Sequence, residues 1–432
     1  MTVSHRLRRT CVAAALTAVM AGLALMLTLA ALPAQAHPRG SAVLSSRFGS
    51  PVELRLPGGS AYRPAQTLYG LACASPGDCV AGVTYVGGHH RVLVGVLTQR
   101  HGIWGQVEPI RLPPGATGLA EPQINGIACP RAGDCVAVGG YLTSAGSGLA
   151  FLATQTSGRW DRARQPLLPA DAATQPDAGL YGISCTAPGW CEAVGTYTDS
   201  AQLTEAIVVT ESGGHWQRAV SVAMPPDAAA DPGGLLDGIA CWSAGNCAAI
   251  GQYELPGGVT VAAAVTQSDG RWGRVIQLAA PVRGSAVSYA SLLFVSCTHV
   301  GWCTATGSYE ASRSFEAMTV SRGPAGWGRA LPLRAVPRHS YTSDLNGVAC
   351  PARGQCVAVG WAARQAGPAR SLAVAGAGAR WHQIGAGGGP AGDSGRITIL
   401  TNVSCPGRGY CEGIGFYLDR AGQYEAFAVT MG

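Results

Sequence analysis

Residues 180–197 read LYGISCTAPGWCEAVGTY, and this stretch contains the unit that repeats along the chain. Cys185 and Cys191 enclose a five-residue loop whose fourth member is Gly189. The same arrangement occurs seven times, and successive first cysteines are 53–56 residues apart. A nearly constant period of this length predicts an array of similar structural units rather than several unrelated domains.

Four short strands are predicted in every unit, because apolar runs lie between clusters of turn residues and no long segment shows a helical period. In the third unit they cover residues 180–185, 191–197, 205–210 and 216–222, and we term them strands a, b, c and d. A tyrosine six residues after the second cysteine recurs in six units, and a tryptophan further on recurs in the first six. This organisation predicts an all-β fold, a seven-bladed β-propeller with four-stranded antiparallel blades.

The seventh unit has no strand d, since only two residues follow Thr430. The segment 48–57 matches residues 104–113, which contain strand d of the first unit. We therefore predict that the N-terminal strand, 48–56, pairs antiparallel with residues 424–430 and completes the last blade, which removes an exposed sheet edge. An open solenoid is the alternative, and it would favour separate capping repeats at the two ends.

The cysteine pairs flank a hairpin loop, where residues face each other across antiparallel strands at about 4.5–5.5 Å between Cα atoms. We predict one disulfide in each pair, and the recurring loop glycine favours a type I turn followed by a left-handed residue. Metal binding is the alternative, but zinc ligands usually meet in groups of four, whereas each pair here would lie on its own blade. The pairs are Cys73–Cys79, Cys129–Cys135, Cys185–Cys191, Cys241–Cys247, Cys297–Cys303, Cys350–Cys356 and Cys405–Cys411.

Residues 1–36 have the features of an export signal. Three arginines precede an apolar run between residues 12 and 32, and Ala34-Gln-Ala36 has the pattern of a cleavage site. We predict a signal peptide at 1–36, a short tail at 37–47 and a single propeller domain at 48–432. Secretion would supply the oxidising compartment that disulfides need. If it is not cleaved, the apolar run is long enough to anchor the protein in a membrane.

The charge pattern argues against nucleic acid as a partner. All 30 basic residues are arginines, three of them in the signal segment, and they are scattered among 24 acidic residues. The small positive balance of the mature chain forms no basic stripe. No metal-binding, calcium-binding or phosphate-binding motif is present, so we predict no cofactor and no metal. We expect a monomer.

The hairpin Ser268-Asp-Gly-Arg-Trp272 resembles the Asp-box of sialidase-like (BNR-repeat) propellers, although its spacing departs from the pattern of that family. The repeats, such as residues 348–360, are also similar to those of uncharacterised secreted bacterial propellers, and this resemblance covers all seven units. It implies the fold and no particular activity. Sialidases bind the substrate carboxylate with three arginines, and no Arg-Ile-Pro motif marks such a triad near this N-terminus.

A ring of potential ligand contacts is predicted four residues before each first cysteine, where strand a enters from the face that carries the d–a and b–c loops. Such loops vary between the units, as binding surfaces do. Packing between blades is the alternative role for these side chains. The fifth unit has Leu293 at this position, and the polar members are Tyr69, Asn125, Tyr181, Asp237, Asn346 and Thr401.

No catalytic set of residues is apparent in the sequence. We therefore predict a secreted or cell-surface, non-enzymatic binding or scaffold propeller that recognises a glycan or protein through its loop face. The alternative is a carbohydrate-active enzyme, a glycoside hydrolase or lyase. Hydrolysis would need two carboxylates about 5–9.5 Å apart. Glu121, Asp237 and Asp344 are the candidates, because all should lie near that face.

Overall fold

The computed structural model describes residues 47–57, 68–87, 91–116, 122–281, 287–298, 301–311 and 314–432. These residues form seven antiparallel sheets arranged as a β-propeller, and no helix occurs among them. The predicted all-β class and the seven four-stranded blades are therefore confirmed. The predicted signal peptide, 1–36, and most of the predicted tail lie outside the described residues.

Each blade is ordered a-b-c-d from the axis outward, and strands a of neighbouring blades contact one another around the axis. The seven strands a are Leu71–Ser75, Gln123–Arg131, Gly179–Ala187, Leu235–Ser243, Ala290–Cys297, Thr342–Ala352 and Asp393–Gly407. The strands b are Asp78–Val86, Asp134–Leu142, Trp190–Thr198, Asn246–Leu255, Cys303–Ala311, Gln355–Ala363 and Tyr410–Asp419. The strands c are Val92–Arg100, Gly148–Thr156, Thr204–Ser212, Val259–Ser268, Ser314–Gly323, Arg370–Ala377 and Tyr424–Met431.

The outer strand d is shorter than the sequence predicts. In blade 3 the expected strand at 216–222 consists of two pieces, His215–Trp216 and Val220–Ser221, which both pair with strand c. The residues between the two pieces bond elsewhere: the Gln217 N–H donates to the Thr210 carbonyl at 2.8 Å, and the Ala219 N–H donates to the Leu167 carbonyl of the preceding unit at 2.7 Å. The strands d are Ile103–Pro109, Arg159–Trp160, His215–Trp216 with Val220–Ser221, Arg271–Trp272 with Ile276–Gln277, Gly326–Trp327 with Leu331–Pro332, Arg380–Gln383 and Val52–Leu54.

All seven predicted disulfides are present, each within one pair, with Cα–Cα distances of 3.9–4.2 Å. Cys185 lies directly opposite Cys191 in the a–b ladder, and the Cα separation is shorter than that of an ordinary cross-strand pair. The glycine in the fourth loop position has φ between 71° and 86° in all seven hairpins. This is the left-handed region that the turn requires, and it explains the repeated glycine.

The N-terminal strand closes the ring as predicted. Val52, Glu53 and Leu54 pair antiparallel with Ala428, Phe427 and Ala426. The strand is shorter than residues 48–56, because Pro51 has no N–H to donate to a ladder. Upstream of it, the Gly49 N–H still donates to the Thr430 carbonyl at 2.8 Å.

A buried carboxylate also joins blade 7 to blade 1. Glu412 is 1% exposed and accepts hydrogen bonds from Gln99 Nε2 and Trp104 Nε1, both at 3.2 Å. Its other oxygen accepts from the hydroxyls of Tyr410 at 3.0 Å and Thr430 at 2.8 Å. Four donors satisfy a carboxylate that would be costly to bury alone. The two ends of the chain are therefore joined in two ways: the N-terminal strand pairs within blade 7, and side-chain hydrogen bonds connect blade 7 to blade 1.

The hydrophobic core is divided among the blade interfaces. Between blades 2 and 3, for example, Val136 and Val138 pack against Ala193, Tyr197 and Val209. The tyrosines that recur on strand b are all less than 5% exposed, so they serve packing, as their regular repetition suggests.

Candidate functional site at the central channel

Strand a carries a β-bulge in six of the seven blades, and the residue predicted to contact ligand is the extra residue of that bulge. In blade 3, Leu180 pairs with Gly195 and Gly182 pairs with Val194, which leaves Tyr181 unpaired. The same register shift occurs at residues 125, 237, 293, 346 and 401. Bulges re-aim side chains, and they are frequent beside binding sites.

A glycine on strand b makes room for each bulge. A Cβ at Gly195 would lie 1.9 Å from the Gly179 carbonyl oxygen, and one at Gly251 would lie 2.0 Å from the Leu235 oxygen. No side chain fits at those distances. The glycine four residues after the second cysteine is absent only from blade 1, which has Val83 instead and no such bulge among its described strand residues.

Three of the predicted contacts hold neighbouring blades together. The side chain of each donates a hydrogen bond to the carbonyl that lies five residues before the first cysteine of the next blade. Asn125 donates to Leu180 at 2.8 Å, Asn346 to Leu400 at 3.3 Å and Thr401 to Leu68 at 2.5 Å. Their donor groups are therefore engaged within the ring, and their role in ligand binding stays a prediction.

The innermost strands enclose a cavity of about 150 Å³ on the propeller axis. Of the predicted ring, Tyr69, Asn125, Tyr181 and Asp237 line this cavity, together with Leu293. Asn346 and Thr401 do not, and Thr401 is 2% exposed. The structure thus brings four of the six polar residues to one channel.

Asp237 is the charged member of the predicted ring, and its side chain has no hydrogen-bond partner among the described residues. The side chain as a whole keeps some access to the channel, but its Oδ2 atom is fully buried. Burial raises the pKa of this carboxyl from 3.8 to about 7. The carboxyl in turn adds to the effect of burial in raising the pKa of the Tyr181 hydroxyl.

Sequence analysis did not identify Tyr289, which lies just before strand a of blade 5. Its hydroxyl donates to Gln252 Oε1 at 3.1 Å, and its ring meets that of Phe315 edge to face, with centroids 5.6 Å apart. Burial is the main cause that raises the pKa of the Tyr289 hydroxyl, and the charges of Asp237 and Asp344 add to it. The two carboxyls therefore both act on this one hydroxyl.

Asp344 is the second buried carboxyl near Tyr289. Burial raises its pKa to about 6, although hydrogen bonds from the Leu345 N–H, at 2.8 Å, and from the Ser308 hydroxyl favour the charged form. Of the three carboxylates considered for catalysis, Asp237 and Asp344 thus lie within electrostatic reach of the same tyrosine. Glu121 lies outside the described residues.

Aromatic side chains are exposed at the same end of blades 5 and 6. Phe315, at the start of strand c, is 45% exposed, and Tyr341, just before strand a of blade 6, is 41% exposed. Neither belongs to the positions whose residue type recurs from unit to unit, so the repeat pattern could not reveal them. Among the residues that the structure covers, no three His, Cys, Asp or Glu side chains are placed to hold a metal ion.

The fold and the channel define a seven-bladed β-propeller with one disulfide in each blade. Neither a protein-family model nor a curated protein matches the chain. Similar solved structures include a protein of unknown function from Dyadobacter fermentans, with 10% identity over 89% of this chain and 98% of that one and a TM-score of 0.45. An ulvan lyase has 11% identity over 89% and 95% and a TM-score of 0.44.

The NanB sialidase from Streptococcus pneumoniae has 9% identity over 89% of this chain and 70% of that one, with a TM-score of 0.43. We draw no functional conclusion from likenesses this distant.

Proposed function

We propose that this protein is a secreted or cell-surface binding propeller that takes a glycan at the loop-face mouth of its central channel. The observation that carries the proposal is the group around Tyr289. Burial and the charges of two buried carboxyls raise the pKa of its hydroxyl, and its ring contacts an exposed phenylalanine. Aromatic faces beside polar groups suit a sugar, which presents an apolar ring face and hydroxyl edges.

An extracellular location is supported by the cysteines. All fourteen cysteines of the repeats form disulfides, which persist in oxidising compartments. No membrane-spanning helix occurs in the part of the chain that the structure describes. We propose that the protein acts as a monomer, with a membrane anchor only if its N-terminal segment stays attached, and that its partner is a glycan rather than nucleic acid.

The test is a binding screen of soluble oligosaccharides and insoluble polysaccharides with matched variants. Phe315→Ala removes the exposed ring at the proposed site. Trp190→Ala removes an equally exposed ring, 45%, from an a–b hairpin at the opposite face. We expect the first variant to bind at least tenfold more weakly and the second to bind as the wild type does. Equal binding by both variants would place the ligand elsewhere, and no binding to any glycan would refute the proposal.

A carbohydrate-active enzyme is the second candidate, and the two carboxyls favour it. Groups with pKa values of about 7 and about 6 change protonation near neutral pH, as a general acid and a general base must. Release of reducing or unsaturated ends from a bound polysaccharide would reveal such turnover. For this candidate, Asp237→Asn and Asp344→Asn should each abolish turnover while leaving the protein folded. Wild-type protein that binds a glycan without cleaving it would refute it.

A further inference from the structure

Among the described residues that line the cavity on the propeller axis, one is negatively charged and none is positively charged. Its described lining consists of tyrosine, asparagine, glycine and apolar residues, and Asp237 is the only carboxyl among them. No arginine or histidine is among the described residues of the lining. The titratable groups that interact with Asp237 are Tyr181 and Tyr289, and the latter also interacts with Asp344. None of these groups can supply a positive charge.

Asp237 occupies the position at which other blades have a hydrogen-bond donor. Asn125, Asn346 and Thr401 each donate from this position to the next blade. In blade 4 the equivalent acceptor is the main-chain carbonyl of Leu292. In its charged form the Asp237 carboxyl cannot donate to that carbonyl, and no described residue donates to the carboxyl. The charged carboxyl thus forms no bond to the next blade, and its buried Oδ2 atom has no donor, which is costly unless a ligand supplies one.

We propose that the channel receives a positively charged group of the glycan, the ammonium of an amino sugar, with Asp237 as its counter-ion. This inference rests on the proposed glycan-binding function and specifies its ligand class. An ammonium supplies both the charge and the hydrogen-bond donors that Asp237 lacks. The Tyr181 side chain beside it offers a hydroxyl and a π face, which attracts cations.

The size and charge of the cavity limit which sugars can enter. At about 150 Å³, the cavity is smaller than the ~300–1,000 Å³ of ordinary small-molecule pockets, so it suits one substituent or sugar ring end rather than an oligomer. A sugar carboxylate or sulfate would meet the Asp237 carboxyl there, and the polar side chains of the described lining, tyrosine and asparagine, carry no positive charge to offset the repulsion. The channel should therefore discriminate against uronic and sulfated sugars.

Isothermal titration with three oligosaccharides tests the inference. The probes are a glucosamine trimer, an N-acetylglucosamine trimer and a galacturonate trimer, at pH 7. We expect the wild type to bind the glucosamine trimer at least tenfold more tightly than the acetylated one and to show no measurable binding of the galacturonate trimer. Asp237→Asn should abolish the tenfold preference. Asp269→Asn, which removes an exposed charge from the same blade, should preserve it.

The pH dependence provides a second readout. Protonation of Asp237 removes the counter-ion, so the affinity of the wild type for the glucosamine trimer should fall as the pH drops from 7 to 5, approaching tenfold per pH unit. The affinity of Asp237→Asn should not change over this range. Equal binding of the amino and acetylated trimers would overturn the inference and leave the proposed function intact. Binding of no oligosaccharide by the wild type would overturn both.

Discussion

Replacing Asp237 by asparagine should stabilise the protein at alkaline pH, although the substitution lies at the proposed site. The folded-state pKa of about 7 exceeds the ordinary value of 3.8 by about three units. Each unit corresponds to about 1.36 kcal/mol, so the charged carboxylate costs the folded state up to about 4 kcal/mol. Because folding raises this pKa, the carboxyl is not penalised below about pH 4, and the penalty grows until the pH passes 7.

The introduced amide has no charge to bury, and it can donate to the Leu292 carbonyl as Asn125 and Asn346 donate in their own blades. Urea denaturation at pH 4.5 and pH 8 would measure the effect as the difference between variant and wild type, which cancels the contributions of other carboxyls. We expect a difference below about 1 kcal/mol at pH 4.5 and a gain of about 2–4 kcal/mol at pH 8. A variant that is less stable than the wild type at pH 8 would refute this account of Asp237. Asp269→Asn, which removes an exposed carboxyl from the same blade, is the control.

Three further predictions concern the ring itself. Deleting residues 37–57 removes strand d of blade 7, and calorimetry should show a large loss of melting temperature; an unchanged melting temperature would contradict closure by this strand. Cys185→Ser combined with Cys191→Ser should lower the free energy of unfolding by at most about 2–3 kcal/mol, because the bridge closes a short loop. Peptide mapping of the unreduced wild type should find only bridges within the cysteine pairs. Glu412→Ala leaves buried donors from two blades unsatisfied and should lower the free energy of unfolding by about 3 kcal/mol. Glu53→Ala, at an exposed position of the closing strand, should lower it by less than about 1 kcal/mol.

Features set by local spacing could be predicted from the sequence. The disulfides follow from five-residue loops with a glycine in the fourth position, because such a loop forces its flanking cysteines opposite each other. Ring closure could be predicted because the segment that begins at Phe48 matches the one that begins at Trp104. Both inferences needed only the comparison of one unit with another, and a repeat protein supplies that comparison within its own chain.

The shape of the site could not be predicted in the same way. The bulges that re-aim Asn125, Tyr181 and Asp237 arise from a register shift between two strands, and alternation of residue types does not reveal such a shift. The glycine four residues after the second cysteine was the available signal, since a strand-interior glycine often marks a bulge or a close backbone approach. Tyr289 and Phe315 do not belong to the positions whose residue type recurs from unit to unit, so the repeat pattern did not indicate their importance.

The pairing of Val52–Leu54 with the strand at the other end of the propeller has a consequence for biosynthesis. The closing strand is synthesised before any complete blade, and its partner strand is synthesised last. The closing strand therefore stays unpaired until the other six blades have been synthesised. A chain arrested before that point would expose a strand without a sheet at one end and an unfinished blade at the other. Two full-length chains whose closing strands have not yet docked are complementary to each other, and exchange of those strands would yield a domain-swapped dimer in place of a closed monomer.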